Sequence, residues 1–196
     1  MLTFDEGAYA VRLARNTLED CINKTSTEMD EPSKEFKEAR GVFVTLQKKE
    51  GLRGCIGYPL PISPLYSAIV DSAINAATRD PRFLPVKSDE LNDIIVEVTV
   101  LTPPEVIEVE PKDLPDNIEI GRHGLIVKRG QYQGLLLPQV PIEHGMDVED
   151  FLSHTCMKAG LSPVAWLEEG TEVSRFEGQI FEEVEPNGDI VEKKLS

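Results

Sequence analysis

The chain has 196 residues, 40% of them apolar, and a formal net charge of −15. That length allows one domain or two small lobes around a real core. The charge argues against a general DNA or RNA binder, whose affinity comes from Lys and Arg displacing counterions from phosphates, and against an anionic membrane surface. There is no apolar run of the roughly 18 residues that a membrane span needs. The N-terminal stretch carries early acids and no apolar core segment, so no signal peptide is expected. Cys21, Cys55 and Cys156 are odd in number and far apart, which fits a reducing cytoplasm.

Residues 5–24 have apolar side chains at helical spacing, with Leu13, Leu18 and Cys21 on the stripe, so an amphipathic helix with a packed Cys21 is expected. Residues 25–39 are polar and read as an exposed connection. Gly41–Gln47 and Leu52–Tyr58 read as a hairpin closed by Lys48-Lys49-Glu50-Gly51. Ser63-Pro64 then opens a helix with Ser63 as its cap, and Asp80-Pro81 ends it. Ile94–Leu101 is β-branched and reads as a strand. The prolines at 103, 104, 111 and 115 mark residues 102–117 as a connection. Gly124–Lys128 and Gly134–Pro138 read as a second hairpin, Asp147 as the cap of a helix stopped by Gly160, and Val173–Val184 as a last strand.

Both halves thus follow one order: strand, strand, helix, strand. The expected organisation is a single domain over 1–196, with sub-lobes at about 40–101 and 123–184 that look like an internal duplication. Equal separations of Gly54 from Glu97 and of Gly134 from Glu177 support a match in which Cys55 corresponds to Leu135 and Glu97 to Glu177. A site between lobes is the expectation from the general placement of pockets.

The stretch Gly51-Leu52-Arg53-Gly54-Cys55-Ile56-Gly57-Tyr58 concentrates the candidate chemistry. Strand alternation puts Arg53, Cys55 and Gly57 on one face. A guanidinium beside a thiol favours the thiolate, the nucleophilic form, and Gly54 and Gly57 allow a ligand or another backbone to come close. A small packed cysteine is the competing reading, and Leu135 in the matching position supports it. A nucleophilic thiol needs a base, and His123, at a strand start, is the candidate, with a turn-capping role as the alternative. Glu97 is a carboxylate within an apolar strand, either solvated or paired with Arg53 or Arg82. Arg82, in Asp80-Pro81-Arg82-Phe83, either meets an anion or belongs to a turn that docks Phe83. His144 and His154 read as surface residues. No metal site or cofactor motif is present.

These residues resemble the AMMECR domain family. Leu52-Arg53-Gly54-Cys55-Ile56-Gly57 is similar to its signature hexapeptide, and the likeness continues through Gly41–Leu46, Asp80–Phe83, Val96–Val98, His123–Leu125, Gly134–Val140 and Cys156–Leu161. The resemblance implies an α+β protein with mainly antiparallel sheets, flanking helices, and a larger and a smaller lobe. It implies a functional hexapeptide but no assigned reaction. Fusions within the family imply radical-SAM or Memo-type proteins as partners. The site expected from sequence is therefore Arg53, Cys55, Glu97 and His123 as chemical groups, with Gly54, Gly57 and Arg82 contacting a small-molecule ligand in an inter-lobe groove. An accessory module for a protein partner is the alternative, and a nucleic-acid-linked regulator is disfavoured by charge.

Overall fold

The structure, a computed structural model, describes residues 1–193. Helix α1 (Phe4–Asn23) starts where Thr3 and Glu6 cap each other: the Thr3 hydroxyl accepts the Glu6 amide, and the Glu6 carboxylate accepts the Thr3 amide. Its inner face carries Ala10, Leu13, Ala14 and Leu18. Gly7 is required there, because a Cβ would stand 2.2 Å from the Phe181 ring. Cys21 is exposed, contrary to the packing expected of it. At 3.6 residues per turn, Ile22 rather than Cys21 returns to the stripe above Leu18, and Ile22 packs on the core. The chain then passes through a loop and a short 3-10 turn, Lys34–Lys37, that buries Phe36.

Strands β1 (Val42–Lys48) and β2 (Gly51–Tyr58) form the first hairpin. Helix α2 (Leu65–Thr78) follows, but Ser63 does not cap it; Pro64 holds the cap position without a side-chain bond. A 3-10 turn at Ser88–Asp93 leads into β3 (Ile95–Leu101). Next come β4 (Glu105–Val106), β5 (His123–Arg129) and β6 (Tyr132–Leu136). The short helix α3 (Gln139–His144) and helix α4 (Val148–Lys158) follow, the latter capped by the Asp147 carboxylate on the Asp150 amide, as expected. Strand β7 (Glu172–Glu183) and strand β8 (Ile190–Lys193) close the described chain. Periodicity did not indicate α3 or β8, whose lengths fall below what a pattern can register.

The fold is mixed α and β, with antiparallel strands and flanking helices, and it divides into two compact units. Residues 1–101 and 179–193 make the first. Its core joins α1 and α2 to the inner faces of β1 and β3 through Leu18, Leu46, Ile69, Val96, Val98 and Phe181. A buried ion pair lies inside it. Arg15 donates to the Glu183 carboxylate and to the carbonyls of Leu91 and Ile94, and Glu183 also accepts the Val96 amide at 2.9 Å. Each of the three guanidinium nitrogens meets an acceptor, which is the condition for burying it.

Thr102–Gly178 makes the second unit, around Leu125, Val127, Phe151, Leu152 and Trp166. The proline-rich stretch lies within it: Glu105 and Val106 pair with Arg175 and Ser174, and Leu114 and Ile118 enter the core.

Each unit repeats one motif. β1 lies between β2 and β3, and β5 lies between β6 and β7, all antiparallel. Leu46 is flanked by Gly54 and Val96, and Val127 by Gly134 and Val173. A Cβ on Gly54 would meet the Ala76 carbonyl at 2.3 Å, and one on Gly134 the Ala159 amide at 2.4 Å. Each glycine lets a helix backbone rest directly on the strand. This register aligns Cys55 with Leu135 and Thr45 with Ile126. It aligns Glu97 with Ser174, however, not with the expected Glu177, which opposes His123. Equal sequence separation misled because the helix-to-strand connections differ in length.

Candidate functional site

Strand β2 does not alternate simply. Its register on β1 shifts between Leu46, opposite Gly54, and Gln47, opposite Leu52. Arg53 is the additional residue of a β-bulge, without a partner on β1. The shared face expected for Arg53 and Cys55 therefore does not exist, because alternation is interrupted between them. The Arg53 guanidinium goes instead to Glu90, donating through Nε at 2.8 Å and Nη2 at 2.9 Å. This two-point bond holds the Glu90 carboxyl down to about 2 and raises the Arg53 pKa. Arg53 does not pair with Glu97.

Arg82 is also committed. Its Nε donates to Asp80 Oδ1 at 2.9 Å and its Nη2 to Asp80 Oδ2 at 2.7 Å. Asp80 is buried, and its carboxyl is held well below the usual carboxylate range, first by Arg82 and then by the Cys55 amide. The pair has a definite task. β2 is an edge strand, and Cys55 sits at a position whose amide and carbonyl face away from β1. The amide donates to Asp80 Oδ2 at 2.9 Å, and the carbonyl accepts from Arg82 Nη2 at 3.2 Å. The two side chains thus satisfy the backbone as a neighbouring strand would. The Phe83 ring has the Arg53 guanidinium 5.9 Å and the Arg82 guanidinium 5.5 Å from its centre.

The glycines of the hexapeptide also serve packing. Gly54 rests on α2, and a Cβ on Gly57 would stand 2.2 Å from the Val42 carbonyl. Both approach protein backbone, so the close approach that sequence alone could assign to a ligand is already filled by the fold.

What remains for chemistry is one transverse row on the sheet face opposite Gly54. Cys55, Thr45 and Glu97 are direct cross-strand neighbours on β2, β1 and β3, a spacing at which adjacent side chains touch. All three are half-buried. Thr45 Oγ1 lies 3.4 Å from Cys55 Sγ, and Gln47, two residues along the same face, has Nε2 3.4 Å from Glu97 Oε2. Lys193 Nζ is 3.6 Å from the same carboxylate. Burial nevertheless raises the Glu97 pKa, with Lys193 opposing and Glu182 assisting. Glu97 therefore keeps its proton to higher pH than an ordinary glutamate.

His123 belongs to the second unit and acts there as a turn cap. Its Nδ1 accepts the Glu119 amide at 2.9 Å, and burial, with help from Arg175 and Arg122, lowers its pKa. An imidazole whose Nδ1 accepts is neutral, with its proton on Nε2. His144 and His154 are exposed. Cys156 is buried, and burial pushes its thiol up. Among the described residues, no group of three or more His, Cys, Asp or Glu side chains has an arrangement that could hold a metal ion. No helix among them is long and apolar enough to cross a membrane.

Sequence reasoning missed Glu90, Thr45, Gln47 and Lys193. Thr45 and Gln47 were readable as the outward positions of β1 once the hairpin was drawn. Glu90 and Lys193 reach the site from 37 positions along the chain and through a β8 pairing, and no local signal announces either.

The AMMECR1 family model matches residues 11–181. A protein of Methanosarcina mazei is 59% identical over 200 residues, covering 100% of both chains. Protein MJ0810 of Methanocaldococcus jannaschii is 52% identical, covering 100% of this chain and 98% of its own. The crystal structure of uncharacterized protein PH0010 from Pyrococcus horikoshii is similar with a TM-score of 0.83 and 48% identity, over 99% of each chain. The sequence motifs, the architecture and these matches agree, and the chain belongs to the AMMECR1 family.

Proposed function

We propose that the Cys55–Thr45–Glu97 row is a small-molecule site, with the thiol and the proton-exchanging carboxyl as its reactive groups. The observation that carries this reading is internal to the molecule. The same row in the second unit is Leu135–Ile126–Ser174. The motif therefore packs with two aliphatic residues and one hydroxyl, and the stability of the fold does not ask for a thiol, a hydroxyl and a half-buried carboxylate. Burying Glu97 with only long contacts costs stability, which is how functional groups are held. Arg53, Arg82, Gly54 and Gly57 support the row by fixing β2, and need not touch the ligand.

The test is carboxamidomethylation of the folded protein, followed residue by residue by peptide mass spectrometry across pH. Cys55 reacts in the native state, and Glu97→Gln changes the pH dependence of its rate while leaving Cys21 unaffected. Glu97→Gln also leaves stability at neutral pH equal or slightly higher. A carboxyl whose folded pKa is raised opposes folding once ionised, so removing its charge removes that cost. Reaction of Cys55 only on unfolding would overturn the proposal.

A further inference from the structure

A cavity away from the Cys55 row lies wholly within the first unit and uses none of the groups above. It is a cleft of about 980 Å³ between α1, α2 and the segment that joins α1 to β1. Its size is that of sites that enclose small molecules. Its floor is aromatic and aliphatic: Tyr9 and Phe36 meet edge to face with centres 4.8 Å apart, and Leu13, Val70 and Ile74 continue the surface along the helices. Tyr66 stands at its α2 rim, 38% exposed.

The outer wall is a strap, residues 25–33, without helix or strand. It is nonetheless tied at three points. Asp20 accepts from the Thr25 hydroxyl at 2.6 Å and from the Thr27 amide at 2.7 Å; Tyr9 Oη donates to the Asp30 carbonyl at 2.9 Å; Ser33 donates to Glu6 at 2.7 Å. Fixing an irregular polar segment costs backbone entropy, and the strap's apolar return is confined mainly to Met29. The ties fix the wall to α1 at both ends and at its middle. The strap also sets its charge. Asp20, Asp30 and Glu31 line the cleft against one cation, Lys37.

We propose that this cleft binds an organic cation with an apolar body: the body lies on Val70 and Ile74, and the charged head faces Tyr9 and the acidic segment at Asp30 and Glu31. Aromatic faces attract ammonium groups and carboxylates reinforce them, while an anion of the same shape meets repulsion. The proposal is independent of the Cys55 row.

Exposed Cys21 lines the cleft and supplies the readout. The probes are benzyltrimethylammonium, benzyl alcohol and benzoate, titrated into the full chain at low salt. The experiment follows alkylation of Cys21 by peptide mass spectrometry and binding by NMR shift perturbation. Benzyltrimethylammonium slows Cys21 alkylation saturably, leaves Cys55 alkylation unchanged, and binds roughly tenfold more tightly than benzoate, the ratio one such interaction produces. Ile74→Trp, which fills the cleft, abolishes protection, and Asp30→Asn with Glu31→Gln reduces the preference over benzyl alcohol; thermal unfolding of both variants verifies that they are folded. Absence of saturable protection of Cys21, or equal binding of benzoate, would overturn the proposal.

Discussion

The two repeats of this chain share a backbone plan and differ in what they place on it. Both rest a glycine against a helix, at Gly54 and at Gly134, with the same strand order around it. The first bears Cys55, Thr45 and Glu97 on its other face; the second bears Leu135, Ile126 and Ser174. The first also inserts Arg53 as a bulge and ties it to Glu90, whereas β6 pairs with β5 without a register shift. A duplicated motif acts as its own control. What the repeats share is needed to fold, and what only one has needs another explanation. By that test the glycine is architecture, and the polar row is the part that packing leaves unexplained.

Three sets of substitutions test how far the two repeats correspond. The largest effect is expected where the first repeat depends on something outside the shared plan. Arg15→Met leaves Glu183 buried without its cation, and should cost about 3–5 kcal/mol by urea unfolding. Amide exchange should loosen β3 more than β5; equal loosening would mean that the ion pair serves the whole chain rather than one repeat. Next come the paired glycines. Gly54→Ala and Gly134→Ala each force a Cβ into helix backbone and should each cost about 1–3 kcal/mol. A large cost at only one of them would show that the correspondence is nominal.

The smallest effect concerns the bulge. Glu90 falls from an ordinary value of 4.5 to about 2 through Arg53. A depressed folded pKa stabilises above the unfolded value and loses that contribution as pH falls toward the folded one. Glu90→Gln should therefore cost about 1–2 kcal/mol at neutral pH, and the gap to wild type should close between about pH 4.5 and pH 2. A gap that persists at pH 2 would show that shape, not charge, holds Arg53.

Much of this plan was legible in the residues. Asp147 and the apolar spacing of residues 5–24 mark their helices, β-branched runs mark β3 and β7, and the glycine-turned hairpins lie where their spacing put them. The internal repeat was also readable as an order of elements. Its residue-by-residue alignment was not, because connection lengths hide register: Glu177 has the right separation, but Ser174 has the right neighbours. Alternation failed at Arg53 for a similar reason, since one inserted residue reverses every face assignment beyond it. Glu97 and Cys55 were identifiable as unusual for their strands, but Thr45 became part of the site only when β1 lay between them. His123 illustrates the converse: a residue type suited to catalysis is occupied by a turn.

The clamp that Asp80 and Arg82 place on Cys55 has a consequence beyond the site. An uncapped edge strand offers amides and carbonyls to any passing extended segment, and aggregation begins by such templating. At Cys55 both groups are already taken by a carboxylate and a guanidinium. β2 carries three glycines and little side-chain bulk with which to discourage a newcomer. The Asp-Pro-Arg turn therefore works as a terminator, ending the sheet chemically where the strand's own side chains do not end it sterically, and leaving the hexapeptide in contact with solvent without making it adhesive.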